Sequence, residues 1–334
     1  MSERVGVVFE QGTKVEMRDG VHLVADVWRP ATDRPVPVLV ARSPYGREMS
    51  ALMSEPENLA EAGYAVVIQD CRGRFDSQGE WSYVYCEVDD GYDTVEWAAA
   101  QPWSNGRVGM FGASYLGYTQ WLAAIARPPH LEAIAPEVCV ADYWAASFDV
   151  GGAFRLSLRL GWTATVVAQM AETWGIDEPS LKTLREAMEE TRAAMADPPR
   201  LAEAKRRAGD TMVAVLKRRP FRDDPLYHGR ASWLADIFEH ERRTDSAWLT
   251  RNPATHYADL DLPVLDVGGW YDIHLGGTIA NYVEMRRQAR TERARAAQRL
   301  VIGPWPHWNY QSPLIDEVDI GPEAMLDPTR MHIK

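Results

Sequence analysis

Ser114 is the residue of this chain whose neighbours best suit a nucleophile. It lies in the segment Gly-Ala-Ser-Tyr-Leu-Gly (112–117), which is similar to the Gly-x-Ser-x-Gly pattern but with the second glycine one residue later. In that pattern the serine sits on a strained turn between a strand and a helix, and small neighbours let the turn form without a clash. We predict the strand over 107–111 and the helix over 114–126. The alternative is a tight turn whose serine merely caps the helix.

A serine hydroxyl is a weak nucleophile, so it needs a base, and the base needs an acid that orients it. On a sheet with this kind of turn the three residues follow in the order Ser, Asp or Glu, His, each after a later strand. Asp272 follows a predicted strand over 263–268, and His307 follows one over 299–302. His274 precedes the last strand and fails this order. Three other carboxylates lie within or before the strand over 263–268 and point to the wrong end of the sheet: Asp259, Asp261 and Asp266.

The tetrahedral intermediate of acyl transfer also needs hydrogen-bond donors aimed at its oxyanion. One donor is the backbone N–H of Tyr115, the residue after the nucleophile. The other is expected from the loop after a predicted strand over 36–41, which reads Arg-Ser-Pro-Tyr-Gly (42–46). This loop has no glycine run but offers the phenol of Tyr45 as a side-chain donor. A tyrosine packed in a turn is the competing interpretation.

The elements that must position these residues follow a strand–helix alternation. Asp19-Gly20 predicts a hairpin turn, with strands over 15–17 and 21–27. Further strands are predicted over 64–69 and 131–135, and helices over 49–62, 88–100 and 278–290. The alternation stops between 141 and 250, where helical patterns over 181–195 and 201–216 dominate. We therefore predict an α/β-hydrolase fold, a mostly parallel sheet flanked by helices, with a core of 1–140 and 251–334 and an inserted helical cap of 141–250.

Composition narrows the classes of partner. The net charge of −12 argues against binding to nucleic acid or to an anionic membrane surface. No apolar run reaches about 18 residues, and no secretory signal precedes the first strands. Three cysteines without paired spacing do not indicate a disulfide framework. These features predict a cytoplasmic protein that acts on a small molecule, and they leave open whether it forms a homo-oligomer.

Seven segments, spread over both halves of the predicted sheet, form a set. They are Ser-Pro-Tyr-Gly (43–46), Asp-Cys-Arg-Gly-Arg (70–74), Ser-Gln-Gly (77–79), Gly-Tyr-Asp-Thr-Val-Glu-Trp (91–97), 112–117, Gly-Trp-Tyr-Asp (269–272) and Gly-Pro-Trp-Pro-His (303–307). Together they resemble the cocaine esterase-like and X-prolyl dipeptidyl peptidase-like (CocE/NonD) serine hydrolases. The resemblance implies a catalytic triad of Ser114, Asp272 and His307, with the Tyr45 hydroxyl and the Tyr115 N–H as the oxyanion hole. It also implies that four residues line the acyl pocket: Trp144, Trp162, Trp270 and Ile273.

Two departures from that family's pattern bear on the substrate. Members that hydrolyse α-amino acid esters resemble one another in having carboxylates two and three residues after the triad acid, whereas this chain has His274 and Leu275 there. This difference favours a neutral acyl group. The family also normally continues into a C-terminal jelly-roll domain, which the sequence printed here does not contain. We expect this to affect one wall of the pocket.

The leading hypothesis is a serine hydrolase that cleaves carboxylic esters, or amides, through an acyl-enzyme. The first alternative is a peptidase or acylase acting on amides such as X-prolyl peptides or acylated β-lactams. The second is a catalytically silent hydrolase-fold protein that serves as a binding module. We expect no metal or organic cofactor, because His-Glu-x-x-His and paired-cysteine patterns are absent from the sequence.

Overall fold

Eight strands form one mixed sheet in a computed structural model of the protein. The structure describes residues 6–148, 151–194, 198–217, 231–249, 252–307, 314–315 and 318–325. The strand order in the sheet is β1-β2-β4-β3-β5-β6-β7-β8, and a separate two-stranded ribbon pairs β9 with β10. The strands are β1 (Val7–Glu16), β2 (His22–Pro30), β3 (Val36–Ser43), β4 (Ala65–Asp70), β5 (Ser104–Ala113), β6 (Leu131–Glu137), β7 (Leu265–Tyr271), β8 (Arg299–Pro306), β9 (Leu314–Ile315) and β10 (Val318–Asp319).

Strands β3 to β8 run parallel to one another. Strands β1 and β2 form an antiparallel hairpin, and β2 pairs with β4 at one side of this parallel set. All six residues of β4 are buried, as expected for a parallel strand covered on both faces. The hairpin turns at Asp19-Gly20, where Gly20 has a φ of 81° that favours glycine. The predicted α/β class, a mostly parallel sheet flanked by helices, is confirmed.

Helices pack against this sheet and build its core. Helix α4 contacts β3, β5 and β6, and α11 contacts β7 and β8. A buried cluster between α2 and the sheet includes Trp28, Leu59 and Phe111. The helices are α1 (Arg47–Ser54), α2 (Pro56–Glu61), α3 (Glu87–Ala99), α4 (Tyr115–Ala126), α5 (Tyr143–Ser147), α6 (Leu156–Met170), α7 (Pro179–Ala193), α8 (Pro198–Leu216), α9 (Ser232–Glu239), α10 (Ser246–Leu249), α11 (Leu275–Gln288) and α12 (Glu292–Ala296).

The prediction of a single helix over 49–62 is wrong, because the structure has two helices there. The helical conformation is interrupted at Glu55, which adopts a left-handed conformation with φ 48° and ψ 57°. The ring of Pro56 disfavours the helical region for the residue before it, and Pro56 has no N–H to continue the helix. Proline is well suited to the first position of a new helix, which is where Pro56 begins α2.

The chain divides into two compact units, 1–143 with 246–334 and 144–245. The sequence-based boundaries, 141 and 250, lie a few residues outside those of the second unit. Within that unit the described regular elements are helices, and α6, α7 and α8 pack on one another. Leu181, Leu184 and Ala187 form the buried stripe of α7, at the spacing of one helix face. Nowhere in the described ranges is a helix both long and apolar enough to cross a membrane.

A buried ion pair links β3 to α3 in the first unit. Arg42 Nη1 lies 2.6 Å from Glu87 Oε2, and neither side chain is exposed to solvent. Arg42 Nε also donates to Gln69 Oε1 at 2.7 Å. Burial is the largest single effect and acts to lower the pKa of Arg42, but Glu87 and the other acidic groups around it together raise that pKa above its usual value. Removing one member of such a pair leaves an uncompensated charge in the core, which is costly.

We expect Glu87→Gln to lower the free energy of unfolding by about 3 kcal/mol, because the Arg42 charge loses its nearer carboxylate and keeps only Asp90, at 3.7 Å. The matched control is Asp89→Asn in the same helix, whose side chain is 68% exposed in its pair with Arg18. That control is expected to change the free energy of unfolding by less than about 1 kcal/mol. Urea denaturation of the two variants and the parent provides the comparison. Equal losses of unfolding free energy in the two variants would show that the buried pair stabilises the fold no more than the exposed pair does.

Candidate active site

The turn that carries Ser114 has the strained geometry that its neighbours predict. Ser114 directly follows β5 and precedes α4, and its φ of 59° with ψ −119° is uncommon for a residue with a side chain. Its N–H donates to the Glu137 carbonyl at the end of β6, at 2.9 Å. Such strain persists only where the surrounding structure holds it, and it is concentrated at functional sites.

Two glycines make this turn sterically feasible. A Cβ on Gly112, where φ is +122°, would lie 2.8 Å from the Cβ of Leu116. A Cβ on Gly117 would lie 2.6 Å from the Cβ of Cys139, which follows β6. Both distances are shorter than real Cβ contacts, so a side chain at either position would force the neighbouring residues to move. This explains why glycine is needed at both 112 and 117.

The structure brings Ser114, His307 and Asp272 into one hydrogen-bonded row. His307 Nε2 lies 3.1 Å from Ser114 Oγ, and His307 Nδ1 lies 2.7 Å from Asp272 Oδ1. All three residues are buried, with the serine 9% exposed and the other two 7%. With Nδ1 donating to the carboxylate, Nε2 is free to accept the serine proton. This is the arrangement in which an imidazole activates a hydroxyl.

Adjacent parallel strands deliver the acid and the base to one edge of the sheet. Asp272 immediately follows β7, and His307 immediately follows β8. The two strand ends approach closely because Gly269 has no side chain: a Cβ there would lie 2.0 Å from the carbonyl oxygen of Trp305. The Asp272 N–H donates back to the Gly269 carbonyl at 3.0 Å, which fixes the turn after β7.

Asp266 and His274, the alternatives to Asp272 and His307, lie in different surroundings from those two residues. Asp266 is fully buried within β7, and burial raises the pKa of its carboxyl well above the usual range. Asp266 lies within the strand, whereas Asp272 stands after the carboxyl end of that strand. His274 precedes α11, and its ring meets that of His307 edge to face with centroids 5.2 Å apart. His274 is therefore a neighbour of the row, a position that the sequence did not predict.

The two expected oxyanion donors lie next to Ser114 and in the loop after β3. Tyr115 is the first residue of α4, and its phenol donates to Glu87 Oε1 at 3.1 Å while accepting from the Val84 N–H at 3.0 Å. Burial, reinforced by Glu87, raises the pKa of this phenol well above its usual value. Tyr45 lies two residues beyond β3, which pairs directly with β5, and its ring packs against the cluster that contains Leu116.

The four residues proposed for the acyl pocket fall in both units. Trp270 and Ile273 flank Asp272 and are 62% and 46% exposed. In the helical unit, Trp144 stacks on Phe148 with ring centroids 5.3 Å apart, and its Nε1 donates to a backbone carbonyl. Trp162 is half-buried on α6. The pocket-lining role of all four stays a prediction.

Sequence patterns missed the buried charges behind the site. Arg42 lies near the end of β3 and Glu87 begins α3, and a charged residue at such a position is ordinarily expected to face solvent. The loop 42–46 indicates Tyr45 and not Arg42, and no sequence pattern marks Glu87. Among the residues that the structure describes, no group of three or more His, Cys, Asp or Glu side chains is arranged to hold a metal ion.

Comparisons with known proteins agree on one family. A sequence profile of the X-Pro dipeptidyl-peptidase family (S15) matches residues 19–309. The chain is 34% identical over 300 residues to a cocaine esterase of Rhodococcus sp. (strain MB1 Bresler), covering 88% of this chain and 48% of that protein. The chain thus spans about half the length of this relative.

Solved structures show the same fold at lower sequence identity. A CocE/NonD family hydrolase of Staphylococcus aureus superposes with a TM-score of 0.62 at 23% identity, over 89% of this chain and 46% of that one. An α-amino acid ester hydrolase superposes with a TM-score of 0.63 at 22% identity, over 93% and 50% of the two chains. These similarities support the α/β-hydrolase fold.

Proposed function

We propose that this chain, which belongs to the S15 family of X-Pro dipeptidyl-peptidases, is a serine hydrolase. Its proposed substrates are carboxylic esters of small neutral acyl groups, which it cleaves through an acyl-enzyme. The observation that carries the proposal is the row Ser114–His307–Asp272, with its contacts of 3.1 and 2.7 Å. The similarity to a cocaine esterase supports an ester substrate. We propose Ser114 as the nucleophile, His307 as the base and Asp272 as the orienting acid.

In the first half-reaction Ser114 Oγ attacks the ester carbonyl while His307 Nε2 takes the hydroxyl proton. Asp272 holds the tautomer with the proton on Nδ1 and stabilises the imidazolium that forms. The negative charge on the carbonyl oxygen is held by the Tyr115 N–H and the Tyr45 hydroxyl, and each such donor contributes roughly 10² to 10³ in rate. His307 then protonates the departing alcohol, which leaves the acyl group on Ser114.

In the second half-reaction a water molecule attacks the acyl-enzyme. His307 takes a proton from this water, and the tetrahedral intermediate forms in the same oxyanion hole. Collapse of the intermediate breaks the bond between Ser114 Oγ and the acyl carbon, and His307 returns the proton to Oγ. The products are a carboxylic acid and the regenerated serine.

The residues after the proposed acid favour an uncharged acyl group. The positions two and three residues after Asp272 are His274 and Leu275. Neither side chain has a carboxylate to pair with an ammonium group, and the His274 ring is buried and meets that of His307 edge to face. Bringing a cation into this surrounding without a paired anion would be costly.

Hydrolysis of amides is the second candidate, and the family profile, which is named for X-Pro dipeptidyl-peptidases, favours it. Esters and amides pass through the same tetrahedral intermediate, so the row of three residues serves both. They differ in the leaving group, because an amine must be protonated by His307 as it departs whereas an alkoxide is a better leaving group. A silent binding module is the third candidate, to be distinguished by the absence of any turnover.

A substrate panel tests the proposed specificity. It contains p-nitrophenyl butyrate, the p-nitrophenyl ester of an N-terminally free amino acid, and glycyl-prolyl-p-nitroanilide. We expect kcat/KM for the butyrate to exceed that for either cationic substrate by about 100-fold, a ratio typical of sites that lack the partner for a polar group. Preference for the anilide would favour the peptidase, and turnover of none of the three would favour the binding module.

A further inference from the structure

Arg74 is a buried cation against the loop that carries Tyr45. Its side chain is fully buried, and its Nε donates to the Pro44 carbonyl at 2.7 Å. The guanidinium lies over the ring of Trp81, 5.0 Å from the centroid. Burial lowers the pKa of Arg74 to about 10, so it remains charged at neutral pH. Burying a charge is costly, so the groups that contact Arg74 must offset the loss of its hydration.

The Arg74 hydrogen bond acts on the peptide unit that joins Pro44 to Tyr45. The carbonyl of that unit accepts from Arg74, and its N–H, which belongs to Tyr45, donates to Ser43 Oγ at 3.0 Å. Because a peptide unit is planar, contacts at both its ends fix the orientation of the plane. The Cα of Tyr45, from which the phenol projects, is therefore fixed from the N-terminal side.

The residue after Arg74 supports the other side of the loop. The ring of Phe75 lies against Gly46, where an added Cβ would come within 3.1 Å of the ring. Gly46 has a φ of +95°, so the chain leaves the loop in a conformation that favours glycine. The segment 74–75 thus contacts the residues immediately before and after Tyr45.

The Arg74 side chain is also linked to Tyr115, whose backbone N–H is the other proposed oxyanion donor. Trp81, on which the guanidinium stacks, also packs on the Tyr115 ring with centroids 6.1 Å apart. A fixed positive charge in a buried surrounding favours negative charge that develops nearby.

We infer that Arg74 is a positioning residue of the oxyanion hole: it holds the Pro44–Tyr45 peptide so that the Tyr45 hydroxyl points at the developing oxyanion before the reaction begins. This inference rests on the proposed function. Donors that are already oriented need no reorganisation in the transition state, so loss of the anchor lowers kcat and leaves substrate binding nearly unchanged.

A double-mutant cycle between Arg74 and Tyr45 tests this role. With p-nitrophenyl butyrate, we expect Tyr45→Phe to lower kcat about 100-fold and Arg74→Met to lower it about 10-fold or more, with KM changed less than about threefold in both. Because Arg74 acts through the Tyr45 hydroxyl, the double variant is expected to be no slower than Tyr45→Phe alone. If the two losses multiply, or if Arg74→Met has the parent kcat, Arg74 has no such role.

Arg72→Met is the matched control. Arg72 belongs to the same segment but binds Asp90 and Asp19, at 3.0 and 2.8 Å, so its loss leaves the Tyr45 peptide untouched. We expect the kcat of this control to stay within about threefold of the parent. If Arg74→Met does not fold, Arg74→Lys is carried through the same cycle, with the same criterion of non-additivity. Full activity of Ser114→Ala would instead refute the proposed function, whereas additive losses alongside an inactive Ser114→Ala would refute only the role of Arg74.

Discussion

Replacing Ser114 by alanine is expected to lower kcat for a short p-nitrophenyl ester by about 10⁵-fold or more. The variant lacks the oxygen that we propose attacks the carbonyl, and loss of a nucleophile in such a row costs about as much as loss of the whole row. Residual hydrolysis reflects only the oxyanion donors and binding. The side chain that remains fits the same space, because Ser114 occupies a turn held by the Glu137 carbonyl. Steady-state kinetics and circular dichroism of the variant measure activity and folding.

Ser104→Ala is the control for this result. Ser104 begins β5, the strand that ends one residue before Ser114, so it lies at the opposite end of the same strand. Its hydroxyl accepts a local hydrogen bond from the Gly106 N–H. We expect its kcat to match that of the parent. A Ser114→Ala protein that folds and keeps activity within tenfold of the parent would contradict the proposed nucleophile.

Replacing Asp272 by asparagine is expected to lower kcat about 10⁴-fold, which corresponds to about 5.5 kcal/mol. The side chain of Asp272 is fully buried in its contact with His307 Nδ1. An amide there either presents N–H to Nδ1, which selects the wrong imidazole tautomer, or accepts without stabilising the imidazolium. KM is expected to change little, because Asp272 does not touch the substrate. Kinetics over a range of ester concentrations separate the two constants.

Asp266→Asn is the control within the same strand. Asp266 lies in β7, six residues before Asp272, and burial raises the pKa of its carboxyl well above the usual range. The amide has nearly the same shape as the carboxyl and places no charge in this buried position. We expect kcat to stay within about threefold of the parent. Equal losses in the Asp266 and Asp272 variants would indicate general disruption of β7 rather than a specific role for Asp272.

Much of the fold could be predicted because its signals are local. Buried apolar runs at 36–41 and 64–69 correspond to β3 and β4, and the Asp19-Gly20 turn to the β1–β2 hairpin. The break at Glu55 is not visible in the apolar pattern, which continues across it, and its local signal is the effect of Pro56 on the residue before it. Strand ends were also predicted short, since pairing with a neighbouring strand extends them beyond the apolar run.

The grouping of Ser114, Asp272 and His307 could be anticipated from topology rather than from proximity in the chain. Each follows the carboxyl end of a parallel strand, and such ends meet at one edge of a sheet. The contacts of Arg42 and Arg74 could not be anticipated in this way. Their partners lie 45 and 30 residues away, at Glu87 and Pro44, and depend on how loops and helices pack. Because arginine side chains are mostly exposed in folded proteins, residue type alone predicts both at the surface.

Reaction with a fluorophosphonate probe tests the role of Ser114 most directly, because the probe is attacked only by an activated serine. The intact protein and the Ser114→Ala variant are incubated with the probe, and the adduct is located by peptide mass spectrometry. We expect one adduct per chain on the peptide containing Ser114, and none on the variant. An unlabelled parent protein, or an adduct on a different serine that persists in Ser114→Ala, would contradict the proposal that Ser114, activated by His307, is the nucleophile.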